Sequence, residues 1–281
     1  MPSLAKHWQR IAVTLIPLVF ALLHAADIMP LGILQRLDDI LYDVRLRASM
    51  PRTMDDRIVI VDIDEKSLAE VGRFPWGRDK LADLLDILFQ QQKVALVGFD
   101  IVFAEADESS GLRRLMTLAN NEFKDQPAFA DRLKSLQPEL DYDARFAAAL
   151  HKYPVVLGYY FNSERTASAV GTLPRPVVRA ESLKGHRIDR PARTGYGSNI
   201  AMLANAAPIA GHFNPISDSD GVVRSLPLLE LYQGAYYESL ALAMFRALLG
   251  SPDLVPVFSE EKWLSRSLQG LDHIALKSNQ G

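Results

Sequence analysis

The spacing of apolar residues changes several times along this chain, and each spacing predicts a different element. Residues 11–26, IAVTLIPLVFALLHAA, are apolar on every side apart from Thr14 and His24, and IMPLGIL extends the run to residue 34 beyond Asp27. A bilayer takes about 20 apolar helical residues to cross, so residues 11–34 together are long enough for a transmembrane signal anchor. A cleaved signal peptide shares the basic start and apolar middle, but a cut after Ala26 puts His24 where a small residue is wanted. A core helix is the third reading, although the run lacks the polar face of an amphipathic one. Lys6 and Arg10 precede the run. The positive-inside rule therefore assigns residues 1–10 to the cytoplasm, and the chain beyond about residue 35 to the outside.

Leu34, Leu37, Ile40, Leu41 and Val44 then recur at helical spacing, predicting an amphipathic helix that Pro51 ends. The β-branched run 58–63 predicts a strand buried on both faces. Leu81, Leu84, Leu85 and Leu88 share one helical face, and KVALVGFDIVF (93–103) predicts a second buried strand. Strand, helix, strand in this order implies a right-handed parallel unit. DYDARFAAALHKY reads as another helix and PVVLGYYF (154–161) as a third strand. Residues 162–198, rich in Arg, Pro, Gly and Ser, read as a long irregular excursion. HFNPISDSDGVVRSLPLLELY gives two β-segments joined at Asp218–Gly221, AYYESLALAMFRALLG a helix stopped by Gly250, and LDHIALKSNQG the start of a strand. The predicted class is α/β: an N-terminal transmembrane helix, then a mixed, largely parallel sheet with flanking helices.

Composition narrows the chemistry. The 281 residues contain no cysteine, which excludes thiol catalysis, disulfides and thiolate metal sites. A net charge of -3 and the lack of a dense basic run leave no reason to expect nucleic acid as a partner. No P-loop, dinucleotide fingerprint or Gly-x-Ser-x-Gly elbow occurs, and no cofactor is expected.

Three acids fall at predicted strand ends. Asp62 and Asp64 lie two apart and so project from one face at the end of the first predicted strand, with Asp100 placed similarly in the next. Ligands gather outside the carboxyl ends of parallel strands. Three such acids repel one another unless a hard cation or an arginine, Arg73 or Arg78, compensates. Against this, DEKSLAEVG makes Asp64 a helix N-cap with Ser67 at N3 and Gly72 past the end, and Asp107 is placed to cap the turn beginning just after it. For Asp62 and Asp100 both readings stand.

The Asp-x-Asp of IVIVDIDEKS resembles the first motif of haloacid-dehalogenase-type phosphotransferases, yet the later strands end in Gly98-Phe99-Asp100 and Tyr159-Tyr160-Phe161 and lack the groups that chemistry needs. SDSDGVVR mimics a calcium loop, but its twelfth residue is Leu229 rather than an acid, so Asp218–Gly221 is read as a tight turn. In GRFPWGR, Pro75 fixes a turn, while Phe74 and Trp76 offer faces on which Arg73 and Arg78 stack. A packed corner and a ligand-facing Trp76 are the two alternatives. The six histidines are scattered, His212 beside the turn being the most interesting.

Together these stretches resemble the CHASE2 family of extracytoplasmic sensor domains. LYDVRLR, with Asp43 and Arg45, comes first; RIVIVDIDEKSL and GRFPWGR, with Gly72 and Pro75, come second. VGFDIVFAEAD is next, then GHFNPISDSDGVVRSLPLL, with Asn214, Asp218, Asp220, Gly221 and Arg224, and finally YYESLALAMF. The resemblance implies a non-catalytic periplasmic sensor over residues 35–281, membrane-anchored and homodimeric, with an unidentified extracytoplasmic ligand. It also implies a cytoplasmic output such as a class III adenylate cyclase, a histidine kinase or a Ser/Thr kinase. The ligand-binding candidates are Asp62, Asp64, Trp76, Arg78 and Asp100, with the metal question open. The family pattern runs on past the final helix, so the domain is expected to be incomplete at Gly281. A membrane-anchored binding or scaffold protein without output, and a Mg-dependent phosphohydrolase using Asp62 and Asp64, are the alternatives.

Overall fold

The computed structural model describes residues 3–25, 28–29, 31–53, 55–163, 168–186, 188, 191–258 and 271–277. They form two compact units that divide between Asp62 and Ile63.

The first unit carries α1 (Ser3–Ala25) and α2 (Gly32–Ser49). The apolar run expected to be one continuous helix is therefore broken: α1 stops at Ala25 and Gly32 opens α2. Among the described residues, no helix is long and apolar enough to cross a membrane. The side chains of Lys6 and Arg10, and residues Ala26, Asp27 and Pro30, lie outside the described residues. His24 ties the two helices, accepting the Leu31 N–H at Nδ1 over 3.1 Å and lying 3.5 Å from Asp38 through Nε2. The α2 stripe, including Leu37, Ile40, Leu41 and Val44, stays exposed, and α2 ends at Met50 just before Pro51.

Residues 58–62 depart from expectation. They belong to no strand, and Ile58, Val59, Ile60 and Val61 are between 61% and 89% exposed. β-branched residues favour an extended backbone, but a strand exists only through a ladder partner, and these residues have none in this structure.

The second unit is mixed α/β. It begins with α3 (Glu65–Val71), α4 (Arg78–Gln90), β1 (Val97–Phe99), α5 (Leu112–Asn121), α6 (Pro127–Leu140), α7 (Tyr142–Lys152) and β2 (Val155–Asn162). The excursion after β2 holds only short strands: β3 (Ala169–Val170), β4 (Val178–Arg179), β5 (Ala192–Arg193) and β6 (Gly195–Gly197). After them come α8 (Ala201–Ala206), β7 (Ala210–His212), β8 (Ile216–Ser217), β9 (Val223–Ser225), β10 (Leu229–Tyr232) and β11 (Ala235–Glu238). The unit closes with α9 (Leu240–Leu248), β12 (Asp253–Phe258) and β13 (Leu271–Lys277). AYYE, expected to open the last helix, is instead β11, because Ser239 caps α9 through its hydroxyl and stops the helix extending backwards.

β2 is the centre. It pairs in parallel with β1 (Phe99 opposite Leu157) and with β7 (Tyr159 opposite His212), and antiparallel with β6. A second sheet runs β4-β11-β10-β5, while β8–β9 and β12–β13 are two-stranded. The parallel unit thus forms around β1, β2 and β7, without residues 58–63.

The periodicities explain the core. Leu81 and Leu85 of α4 meet Phe146, Ala149 and Leu150 of α7, all at the i, i+3, i+4 spacing that builds one buried face. Phe99, Phe103 and Phe146 pack edge to face with ring centres 5.2–5.8 Å apart. At Gly211 the β7 backbone approaches α9 so closely that a methyl group would lie 2.4 Å from the Leu240 Cα.

Phe146 is fully buried, so Phe146→Ala is expected to lower unfolding stability by about 3–5 kcal/mol, read from the midpoint of a urea titration. A loss under about 1 kcal/mol would mean that the aromatic triad is not packed as described.

Candidate functional site

Each residue singled out from the sequence has a definite place within its own unit. Asp64 caps α3: its carboxylate accepts the Ser67 N–H at 2.8 Å and the Ser67 hydroxyl at 2.7 Å, and Gly72 closes the helix at φ 105°. The backbone bond from Ser67, then the hydroxyl bond, hold the Asp64 pKa below the ordinary carboxylate range. Asp62 and Asp100 are exposed, Asp62 at the end of the unpaired stretch and Asp100 one residue beyond β1. Among the described residues, no group of three or more His, Asp or Glu is placed to hold a metal ion. Asp62, expected at a strand end, lies outside any strand and in the first unit, whereas Asp64 and Asp100 lie in the second.

Trp76 turns inward. Its indole N–H donates to the Gly72 carbonyl at 2.7 Å, Phe74 meets it edge to face at 6.1 Å, and its ring packs against the main core. With Pro75, it forms a corner between α3 and α4.

Arg78 is buried at the first position of α4, and its guanidinium pairs with Asp143 of α7 and donates to the Glu105 carbonyl. It lies over the Phe103 ring, 5.3 Å from the centre, rather than over Phe74 or Trp76. The Gly77 N-cap has no side chain, so Asp107 does its work from a distance, accepting the Arg78 N–H at 2.6 Å. The other oxygen of Asp107 takes the Ser109 N–H at 2.8 Å. Burial lowers the Arg78 pKa, with the Asp107 charge opposing. For Asp107 burial acts upwards, but the bonds from Ser109 and Arg78 leave its pKa below the usual range.

The GHFNPISDSDGVVR stretch is a hairpin scaffold. Asn214 exchanges both bonds with Phe161, at 2.8 Å and 2.7 Å, extending the β2–β7 pairing. Arg224 donates to Asp218 at 2.9 Å and to both oxygens of Asp220, and Gly221 turns the chain at φ 81°. The Arg224 bonds draw the Asp220 pKa to about 2. Asp43 and Arg45 lie on α2 in the first unit, where Arg45 is exposed.

Sequence reading missed Glu238 and Arg246. Glu238 ends β11 at 6% exposure and pairs with Arg246 of α9; burial raises its pKa, and Arg246 pulls it down. The signal was present: one acid interrupts the apolar run YYESLALAMF, and a strand burying every position has no solvent face for it.

Asp64 thus serves as a cap, Trp76 as a corner and Arg78 as a cross-link of an α/β domain. The chain belongs to the CHASE2 domain family, whose model matches residues 13–278. CHASE2 domains are extracellular sensor domains of signalling receptors, not catalytic ones. No curated protein and no solved structure matches this chain.

Buried and exposed ion pairs should respond differently to truncation. Asp143→Ala strands a buried guanidinium and should cost about 3–5 kcal/mol in a denaturant titration, whereas Asp83→Ala, which removes the exposed partner of Arg145, should cost far less. Asp220 has its pKa depressed on folding. Its contribution is fully present above the unfolded value near 3.8 and is lost as pH falls through about 2. Asp220→Asn should flatten that part of the melting temperature–pH curve.

Proposed function

We propose that this chain is the extracytoplasmic sensing region of a bacterial transmembrane receptor. It would relay a stimulus to a cytoplasmic output such as a class III adenylate cyclase or a protein kinase. The observation that carries the reading is the CHASE2 match across residues 13–278. Membrane anchoring near the N-terminus is supported by the exposed apolar side chains of α1, among them Val13, Leu15, Ile16, Leu18 and Val19. A homodimer is supported by the uncovered α2 stripe, since an amphipathic helix with no buried residue still has an apolar face to cover. In this reading a ligand binds one arrangement of the domain better than another, and the difference in binding free energy is what the helices pass on.

Reporter fusions after Gly281 test the placement in living bacteria. Alkaline phosphatase, active only outside the cytoplasm, should be active there, and green fluorescent protein at the same point should stay dark. The reverse pattern overturns the extracytoplasmic reading. Leu41→Glu, on the α2 stripe, should reduce cross-linked dimer several-fold; an unchanged yield removes α2 from the interface.

A further inference from the structure

A cavity of about 620 Å³ opens between the β2–β7 edge, α8, α9, the start of β12 and the segment 172–177. That volume is in the range of small-molecule sites, roughly 300–1,000 Å³. None of the residues Asp62, Asp64, Trp76, Arg78 or Asp100 lines it.

Two buried glutamates show why this cavity is more than a packing fault. Glu230 on β10 has both oxygens engaged by Arg193, at 2.9 Å and 2.6 Å. Glu238 lines the cavity, 94% buried by its 6% exposure, and only Oε1 is bonded, to Arg246. Its other oxygen, Oε2, is buried without a hydrogen-bond partner among the described residues. An unsatisfied buried carboxylate oxygen is costly, and a donor from a bound molecule removes the cost.

The rest of the lining says what else that molecule carries. Leu157, Ala210 and Leu254 give apolar walls, and Arg175 at the exposed mouth has no ion pair among the described residues. The charged lining residues are balanced, Arg175 and Arg246 against Glu238 and Asp253, so a ligand of balanced charge is favoured over an anion or a cation. We infer that this cavity binds a small zwitterion, a free amino acid or short peptide, with its ammonium on Glu238 Oε2, its apolar body against the walls and its carboxylate at Arg175. This deepens the sensor reading and rests on it for its meaning as a signal.

The test is calorimetric titration of the full chain with the standard amino acids and with di- and tripeptides, alongside their decarboxylated and N-acetylated analogues. Saturable one-to-one binding by a zwitterion is expected, with the free acid and peptide arms separating the two sources. The N-acetylated and decarboxylated analogues should each bind at least about tenfold more weakly. Glu238→Gln should weaken binding by at least about tenfold with the near-ultraviolet dichroism unchanged. Ala204→Phe, which adds a ring to the cavity wall from α8 and leaves Glu238 and Arg246 unsubstituted, should abolish binding if Glu238→Gln fails to fold.

No binding by any zwitterion, or equal binding of the decarboxylated analogues, overturns the inference. A chimera on a class III cyclase separates the two readings. Binding without any change in cyclic AMP keeps the site and defeats the sensor role. A cyclic AMP response to another stimulus, intact in Glu238→Gln and with no zwitterion bound, defeats the site and keeps the role.

Discussion

One buried guanidinium ties α4, α7 and the loop after β1 into a single arrangement. Arg78 reaches Asp143 on α7 and the Glu105 carbonyl in the loop after β1, while its own N–H is taken by Asp107. Asp143 in turn accepts the Asp107 N–H at 3.0 Å. The starts of two helices and a loop, far apart in sequence, are thereby fixed by charge-assisted bonds in a low-dielectric setting. Such a pair is weak evidence for net stability, because desolvation offsets much of the attraction. What it imposes is arrangement: removing Arg78 or Asp143 strands the other as a buried unpaired charge, which opposes any sliding of α4 against α7. The aromatic triad beneath it packs on the α7 face that this arrangement sets.

What the sequence made legible was local. α4, α7 and β2 appear where their periods predict, since a 3.6-residue stripe or a buried apolar run needs only neighbours in sequence to declare itself. Asp64, Gly72 and the Asp218–Gly221 turn were equally readable, because a cap or tight turn is defined within four or five residues. Residues 58–63 failed for the converse reason. A β-branched run states a preference for extended backbone, and nothing in it states whether a ladder partner exists. The expected acidic cluster rested on that strand, because Asp62 was placed by it. β11 was lost to a boundary: AYYE and LALAMF are both apolar enough to read as one helix, and only Ser239 divides them.

The family level was legible because its motifs encode these local devices. PWGR supplies the corner and the buried arginine, and Asn214 the sheet extension. SDSDGVVR supplies the arginine-clasped turn. Each is a fold determinant, which is why the motifs name an architecture without naming a stimulus. Fold and function part company at this point: scaffold residues recur in order, while ligand chemistry resides in side chains that no motif fixes.

That separation is visible in how the second sheet treats its two glutamates. Glu230 and Glu238 lie on adjacent antiparallel strands, each nearly inaccessible, and each meets an arginine. Arg193 closes on Glu230 with a bidentate fork, the arrangement that satisfies a buried carboxylate most completely. Arg246 divides itself between Glu238 and the Pro252 carbonyl at 3.0 Å, and so leaves one carboxylate oxygen facing no donor. Glu238 also directly precedes Ser239, the cap of α9, and α9 starts against Gly211 with no room for even a methyl group. A donor brought to Oε2 would therefore act at the joint between β11 and α9, where a tightly packed backbone contact leaves few ways to absorb a change except as movement of the helix. Pairing is complete at Glu230 and incomplete at Glu238, and the carboxylate oxygen left over is the one a donor from outside would satisfy.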